Sequence, residues 1–403
     1  MPQASNPAAR PASGLRTSCI LALLMGFASI STDMYLPAMP AMGAALQASP
    51  GRMALTLSGF LVGFSLGQLL WGPIGDRHGR RLPIAAGLVL FVIGSAGCAL
   101  SETAWQLVGW RLVQALGACA GPVLARAMVR DLHGRERSAQ ILSGLMLVMA
   151  IAPLIAPILG GQVLAFGTWR SIFWILAGIG LVALLSLLAL PESLPPARRS
   201  RAPLSGALRD YLLLARDPAV MGFALVGGFF YAGAFAYIAG TPFAYIAYYQ
   251  VPDRLYGLLF GASILGVMAT NAVNARLVGR FGSARLLRFG AAGLALSGLA
   301  AALQAGTGWG GLPALVAPLF VYMSMAGFII ANSVAGALAF HPRRAGAASA
   351  LVGAVHYGSG VLSTALIDRF ADGTPWTMGW LMAVGGLGSL AAATLLIRGP
   401  AAR

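Results

Sequence analysis

Two charged side chains stand well inside otherwise apolar stretches of the chain, Asp33 and Arg111. A charge at membrane depth costs roughly 2.5–3.5 kcal/mol on insertion scales, so its retention argues for a task. An acid in such a place can take up and release a proton. A nearby guanidinium would favour the charged form, and the two could exchange partners as protonation changes. Asp33 and Arg111 are therefore read as a proton-coupling pair. A static pair that only fixes helix packing is the alternative, and Asp33 could instead lie near enough to a surface to stay hydrated. Gln114 follows Arg111 by three residues and so shares its helix face.

The elements that must hold these residues are transmembrane helices. Of the 403 residues 58% are hydrophobic and 9% are charged, whereas soluble domains carry about 25% charged residues. A crossing needs about 20 apolar residues, and charges punctuate this chain at about that interval. The first span lies between Arg16 and Arg52. Charge-free stretches follow at 53–75, 82–101, 138–169, 171–191, 218–252, 255–275, 345–367 and 373–397. The stretch 103–125 is broken only by Arg111. The stretch 289–342 is long enough for two spans, with a turn in the glycine-rich run Gly306 to Pro313. The sum is twelve spans, an all-α membrane protein of two six-helix bundles.

Arginine placement fixes an orientation. With a cytoplasmic N-terminus, 22 arginines fall in inner segments and four in outer loops, Arg52, Arg170, Arg254 and Arg369, as the positive-inside rule requires. Bundles are expected at 17–190 and 219–397. Around them lie cytoplasmic tails at 1–16 and 398–403 and a linker at 191–218, which carries Pro195-Pro196 and five arginines. The net charge of +16 does not mark a nucleic-acid binder, because the arginines recur in short bursts between spans. Cys19, Cys98 and Cys119 lie in apolar stretches and read as packing residues. His78, His133 and His341 fall in turns, and His356 reads as a packed, hydrogen-bonded histidine of the eleventh span.

Between the second and third spans stands Gly72-Pro73-Ile74-Gly75-Asp76-Arg77-His78-Gly79-Arg80-Arg81. Its glycines permit a tight reversal. The pattern G-x-x-x-D-R-x-G-R-R resembles the cytoplasmic loop signature of the major facilitator superfamily, which implies a gating role for Gly72, Asp76, Arg77, Gly79, Arg80 and Arg81. The loop Val278-Gly279-Arg280-Phe281-Gly282 resembles a decayed second copy without the aspartate. Leu107 to Gly117 resembles the superfamily's fourth-helix motif, keeping Arg111 and Gln114 but carrying Ala115 where glycine is usual. Ala152-Pro153-Leu154-Ile155-Ala156-Pro157-Ile158-Leu159-Gly160-Gly161 resembles the fifth-helix element of antiporters, with Ala156 in place of its first glycine. Pro153, Pro157, Gly160 and Gly161 would then form the antiporter kink, although prolines and glycines there also serve packing alone.

Ser31-Thr32-Asp33-Met34-Tyr35-Leu36-Pro37, Arg130-Asp131, Phe173-Trp174-Ile175-Leu176 and Pro191-Glu192-Ser193-Leu194-Pro195-Pro196 extend the likeness over nearly the whole chain. They resemble the bicyclomycin-resistance (Bcr/CflA) family of drug:proton antiporters. The resemblance implies efflux of small lipophilic antibiotics of bicyclomycin or chloramphenicol type across the bacterial inner membrane. It implies both termini in the cytoplasm, a proton gradient in place of any cofactor, and a monomer in the bilayer. No hydrolase, zinc or phosphate-binding motif suggests an enzyme. An exporter of one endogenous metabolite, or a non-transporting sensor on the same fold, are the competing readings. Aromatic and polar residues of spans one, four, seven and ten are the candidates for the substrate cavity: Tyr35, Gln114, Phe230, Tyr231, Phe235, Tyr237 and Asn332. Asn271 and Asn274 are expected to bond neighbouring helices.

Overall fold

The computed structural model describes residues 15–133, 135–200, 204–341 and 344–397. The two expected tails therefore fall almost wholly outside the described residues. The described chain is helical throughout. In the first half run α1 (Leu15–Asp33), α2 (Met39–Ala45), α3 (Pro50–His78), α4 (Arg81–Ala99), α5 (Ala104–Leu132), α6 (Arg135–Phe166) and α7 (Trp169–Ser186). A short helix, α8 (Leu204–Ala215), lies in the linker. The second half comprises α9 (Pro218–Pro242), α10 (Asp253–Phe281), α11 (Ser283–Thr307), α12 (Gly311–Ser324), α13 (Ala326–Phe340), α14 (Ala345–Phe370) and α15 (Trp376–Leu395).

Among the described residues eleven helical segments are long and apolar enough to cross a membrane, and Ile151–Phe166 of α6 is a shorter apolar twelfth. The spans are not all simple rods. The first, Arg16–Ala45, breaks after Asp33 into a 3₁₀ turn, Leu36–Ala38, because Pro37 and Pro40 offer no N–H to a continuing α-helix. The tenth breaks at Met325 between α12 and α13. The seventh ends in a π-helical turn, Phe243–Tyr248, directly after Pro242.

Local chemistry sets the helix starts. Ser49 accepts from Arg52 N at the head of α3, Thr103 and Gln106 form a capping box on α5, and Asp217 accepts from Ala219 N and Val220 N on α9. Each supplies an acceptor to donors that the first turn leaves unpaired.

Side chains such as Leu66, Leu185 and Leu296 point outward and exposed, as they must where lipid is the solvent. Inside each half α3 packs on α5, α4 on α5 and α7, α9 on α15, and α11 on α15. The halves meet along α3 with α14 and α6 with α10. At the end of the bundle away from the arginine-rich loops, this seam is backbone against backbone. A Cβ on Gly51 would lie 2.6 Å from Asp368 Cα, and one on Gly257 would lie 2.9 Å from Ile158 Cα. Arg52 reaches Asp368 at 3.9 Å beside it.

At the arginine-rich end α8 ties to both halves. Tyr211 Oη donates to Leu69 O of α3 at 3.1 Å, and Asp210 pairs with Arg344 at 3.1 Å. His341 and Asp217 are 2.6 Å apart.

Candidate functional site

Asp33 ends α1 and is buried, with 5% of its surface exposed, so it is not held at a hydrated surface. Arg111, one helix away on α5, is fully buried. The direct pair expected from sequence is not formed. The ion pairs among the described residues join Arg52 to Asp368, Arg80 to Asp76 and Asp131, His341 to Asp217, and Arg344 to Asp210. Arg111 instead donates through Nη1 to Ser31 O at 2.9 Å and to Gln114 Oε1 at 2.6 Å. Gln114 passes the bond on, donating from Nε2 to Ser95 Oγ at 2.8 Å. The guanidinium lies against the rings of Tyr35 at 4.1 Å and Phe60 at 4.4 Å. Its Nε and Nη2 have no hydrogen-bond partner among the described residues. Two aromatic faces thus substitute for a counter-ion, while the charge of Arg111 still reaches Asp33.

The antiporter element lies where the halves meet. α6 runs through Pro153 and Pro157 without interruption. Gly160 faces Met34 O, one residue past Asp33, so closely that no Cβ fits. Gly161 faces Asp253 O of α10, where a Cβ would stand at 3.2 Å.

The loop between α3 and α4 holds a charge cluster. Gly79 turns the chain at φ +91°. Arg80 donates from Nε to Asp131 Oδ2 at 2.8 Å and from Nη1 to Asp76 Oδ1 at 2.7 Å. Glu192 accepts from the backbone N–H of Arg80 at 2.9 Å and of Arg81 at 3.2 Å. Arg81 Nη2 donates to Leu187 O at 2.9 Å. Burial opposes the charge on Arg80, but its hydrogen bonds to Asp131 and Asp76 outweigh it and hold the guanidinium above its ordinary pKa. Gly72 and Asp76 border the large cleft, and Arg77 makes no ion pair among the described residues.

That cleft, about 1150 Å³, opens between the halves at the arginine-rich end. None of the seven substrate-cavity candidates lines it. Tyr35 meets Thr56, Gln114 is held by Arg111 and Ser95, and Tyr237 donates to Ser263. Asn332 donates to Asn274 Oδ1 at 2.7 Å, which uses Asn274 as a helix-bonding residue. Phe230 packs on Tyr322, and Tyr231 stacks on His356 with ring centroids 4.8 Å apart. Phe235 packs near Tyr357. In this conformation these groups serve the packing above the cleft. His356 is packed against Tyr231, and its Nε2 has no hydrogen-bond partner among the described residues. The residue the sequence reading assigned only to a cytoplasmic segment is Arg126, which lies within α5 and forms part of the cleft wall. The signal was the i, i+4 pair Arg126 and Arg130 ahead of Asp131, on a helix that runs on to Leu132.

Two helical bundles meeting at a seam, open at one end and closed at the other, define a transporter rather than an enzyme. The chain belongs to the major facilitator superfamily, whose model matches residues 21–364. It is 36% identical over 379 residues to the uncharacterized MFS-type transporter YdgK of Bacillus subtilis, covering 92% of this chain and 94% of the relative. It is 30% identical to a bicyclomycin resistance protein homolog of Haemophilus influenzae, covering 87% and 89%. Among solved structures, the partially occluded inward-open xylose transporter XylE of Escherichia coli superposes with a TM-score of 0.72 at 15% identity, covering 95% of this chain and 97% of that one.

Proposed function

We propose that this transporter exports small lipophilic molecules, bicyclomycin- and chloramphenicol-like antibiotics among them, in exchange for protons across the bacterial inner membrane. It works by alternating access as a monomer, with no cofactor beyond the proton gradient. The arginine-rich end, the linker and both termini face the cytoplasm, and the cleft is the cytoplasmic entrance. The observation that carries the reading is the buried Asp33 beside Arg111, two charges at span depth that form no direct pair. A static structural pair would be closed. Here the acid is left without the guanidinium's hydrogen bonds, while the arginine is held by Ser31 O and Gln114. Asp33 sits at the break of the first span, one residue before Met34, whose carbonyl packs on Gly160 of α6, so a change in its charge acts on the seam between the halves.

Antibiotic efflux measured in inverted vesicles under an imposed pH gradient tests the reading. Asp33→Asn is expected to abolish gradient-driven efflux while the protein remains inserted and folded. Undiminished efflux by that variant would remove Asp33 from the proton path.

A further inference from the structure

We propose that the cleft receives a lipophilic aromatic molecule bearing a compact negative charge, a carboxylate or its equivalent, with Arg126 as the group that takes the charge. This rests on the export reading and extends its small lipophilic substrates from the neutral bicyclomycin and chloramphenicol types to acidic ones.

The charges around the cleft do not cancel. Five arginines and three aspartates line it. Arg80 is committed to Asp76 and Asp131, and Arg344 to Asp210. Arg126, Arg130 and Arg209 form no ion pair among the described residues. Arg130 and Arg209 are exposed, so water solvates them. Arg126 is different. It is half-buried on a spanning helix, and its Nε donates to Pro122 O at 2.9 Å. That bond draws the guanidinium back one turn toward the interior of the span, and no acceptor for the two Nη groups, with their four N–H donors, is found among the described residues. A partly buried guanidinium without a carboxylate is costly unless another group supplies the negative charge. The paired N–H donors of a planar guanidinium match a carboxylate in two parallel hydrogen bonds.

Behind the charged wall lies an aromatic shelf whose rings do not themselves line the cleft. Gln68 lines the cleft, and Phe64 stands one turn further along α3. The Phe64 ring meets Tyr357 of α14 at 4.5 Å, and Tyr357 meets Tyr231 at 5.7 Å and Phe235 at 5.9 Å. Tyr357 is within electrostatic reach of Arg126. The shelf is therefore built from both halves, Phe64 from the first and Tyr231, Phe235 and Tyr357 from the second. An apolar ring system with an acidic group fits both parts at once. A neutral ring system fits only the shelf.

The test is equilibrium binding of naphthoate and naphthamide to the purified full chain. The two probes share one ring system and differ in charge. The wild type is expected to bind naphthoate at least about tenfold more tightly than naphthamide, the scale of one charge-assisted contact. Arg126→Gln should bring the two affinities together, while Arg130→Gln and Arg209→Gln leave the preference in place. Arg126→His supplies an independent reading if the glutamine variant does not fold. Its preference should be present at about pH 5.5 and absent at about pH 8, on either side of the ordinary histidine range. Equal binding of the two probes by the wild type would overturn the proposal, as would a preference that survives Arg126→Gln or is independent of pH in Arg126→His. The measurement needs no pH gradient. A chain that prefers naphthoate yet exports nothing under a gradient would overturn the export reading alone.

Discussion

The loop after α3 and the loop after α10 occupy the same place in the two halves of the molecule. Each follows a 29-residue helix, and each turns on a glycine at positive φ, Gly79 at +91° and Gly282 at +78°. Their surroundings differ. The first loop is bound to α5 through Arg80 and Asp131, and to the segment after α7 through Glu192. In the second, Arg280 lies over its neighbour Phe281 at 5.4 Å and pairs with no acid among the described residues, and a Cβ on Gly282 would touch nothing within 4 Å. The reversal of the backbone is thus common to both halves, whereas the charge cluster belongs to one. A tight helix-to-helix turn needs only the glycine. The cluster adds something separate, a rigid connection among three elements beside the cleft.

The sharpest way to break this comparison is to remove the matching arginines. Arg80 is 7% exposed and Asp131 14%, so Arg80→Ala leaves the Asp131 carboxylate largely buried without its ion-pair partner. It should cost on the order of 3 kcal/mol, while Arg280→Ala stays within about 0.5 kcal/mol. Thermal unfolding of the purified variants measures both, and equal losses would mean that the two loops are not different in kind. The glycines give a smaller contrast. Both alanine variants carry the backbone strain of a positive φ, roughly 1 kcal/mol. Only Gly79→Ala also presses on Arg199 and Glu192, at 2.7 Å each, and it should melt lower than Gly282→Ala. The smallest effect is a pH dependence. Burial raises the pKa of Glu192, but the backbone N–H groups of Arg80, Leu194, Arg81 and Ser193 outweigh it and hold the carboxyl below its usual 4.5. Its contribution to stability is therefore complete above that ordinary value and is lost as the pH falls through the lowered one. Melting temperature should fall more steeply below about pH 4.5 in the wild type than in Glu192→Gln. Parallel curves would remove Glu192 from the cluster's energetics.

Much of the fold was legible because lipid imposes a simple rule: charges cannot sit in the hydrocarbon, so their spacing counts the spans. The breaks inside spans were harder. Pro37 and Pro40 carry the signal for one, although the first span was read as unbroken, and nothing in the run Tyr322-Met323-Ser324-Met325 announces the other. Helix α8 was read as plain linker, although Leu204, Leu208 and Leu212 recur at helical spacing. In the site, Asp33, Arg111 and Gln114 were legible as charged or polar residues at depth. Which partner Arg111 would choose was not, because the Ser31 carbonyl belongs to the backbone and has no signature in sequence. The link from Arg80 to Glu192 spans 112 residues and follows only from the bundle's closure. Arg126 was hidden for a different reason: a charge near a helix end reads as outside the membrane until the direction of its side chain is known.

The backbone seam at the far end has a mechanical consequence. With Gly51 against Asp368 and Gly257 against Ile158, the two halves meet there with a clearance smaller than one methyl group. Such a joint is a tolerance fit, sealed mainly by flatness. Parting it breaks the Arg52–Asp368 pair and the Ser58–Thr364 hydrogen bond, and it closes fully only while both faces stay bare. A single added carbon at either glycine is a shim that keeps that end ajar.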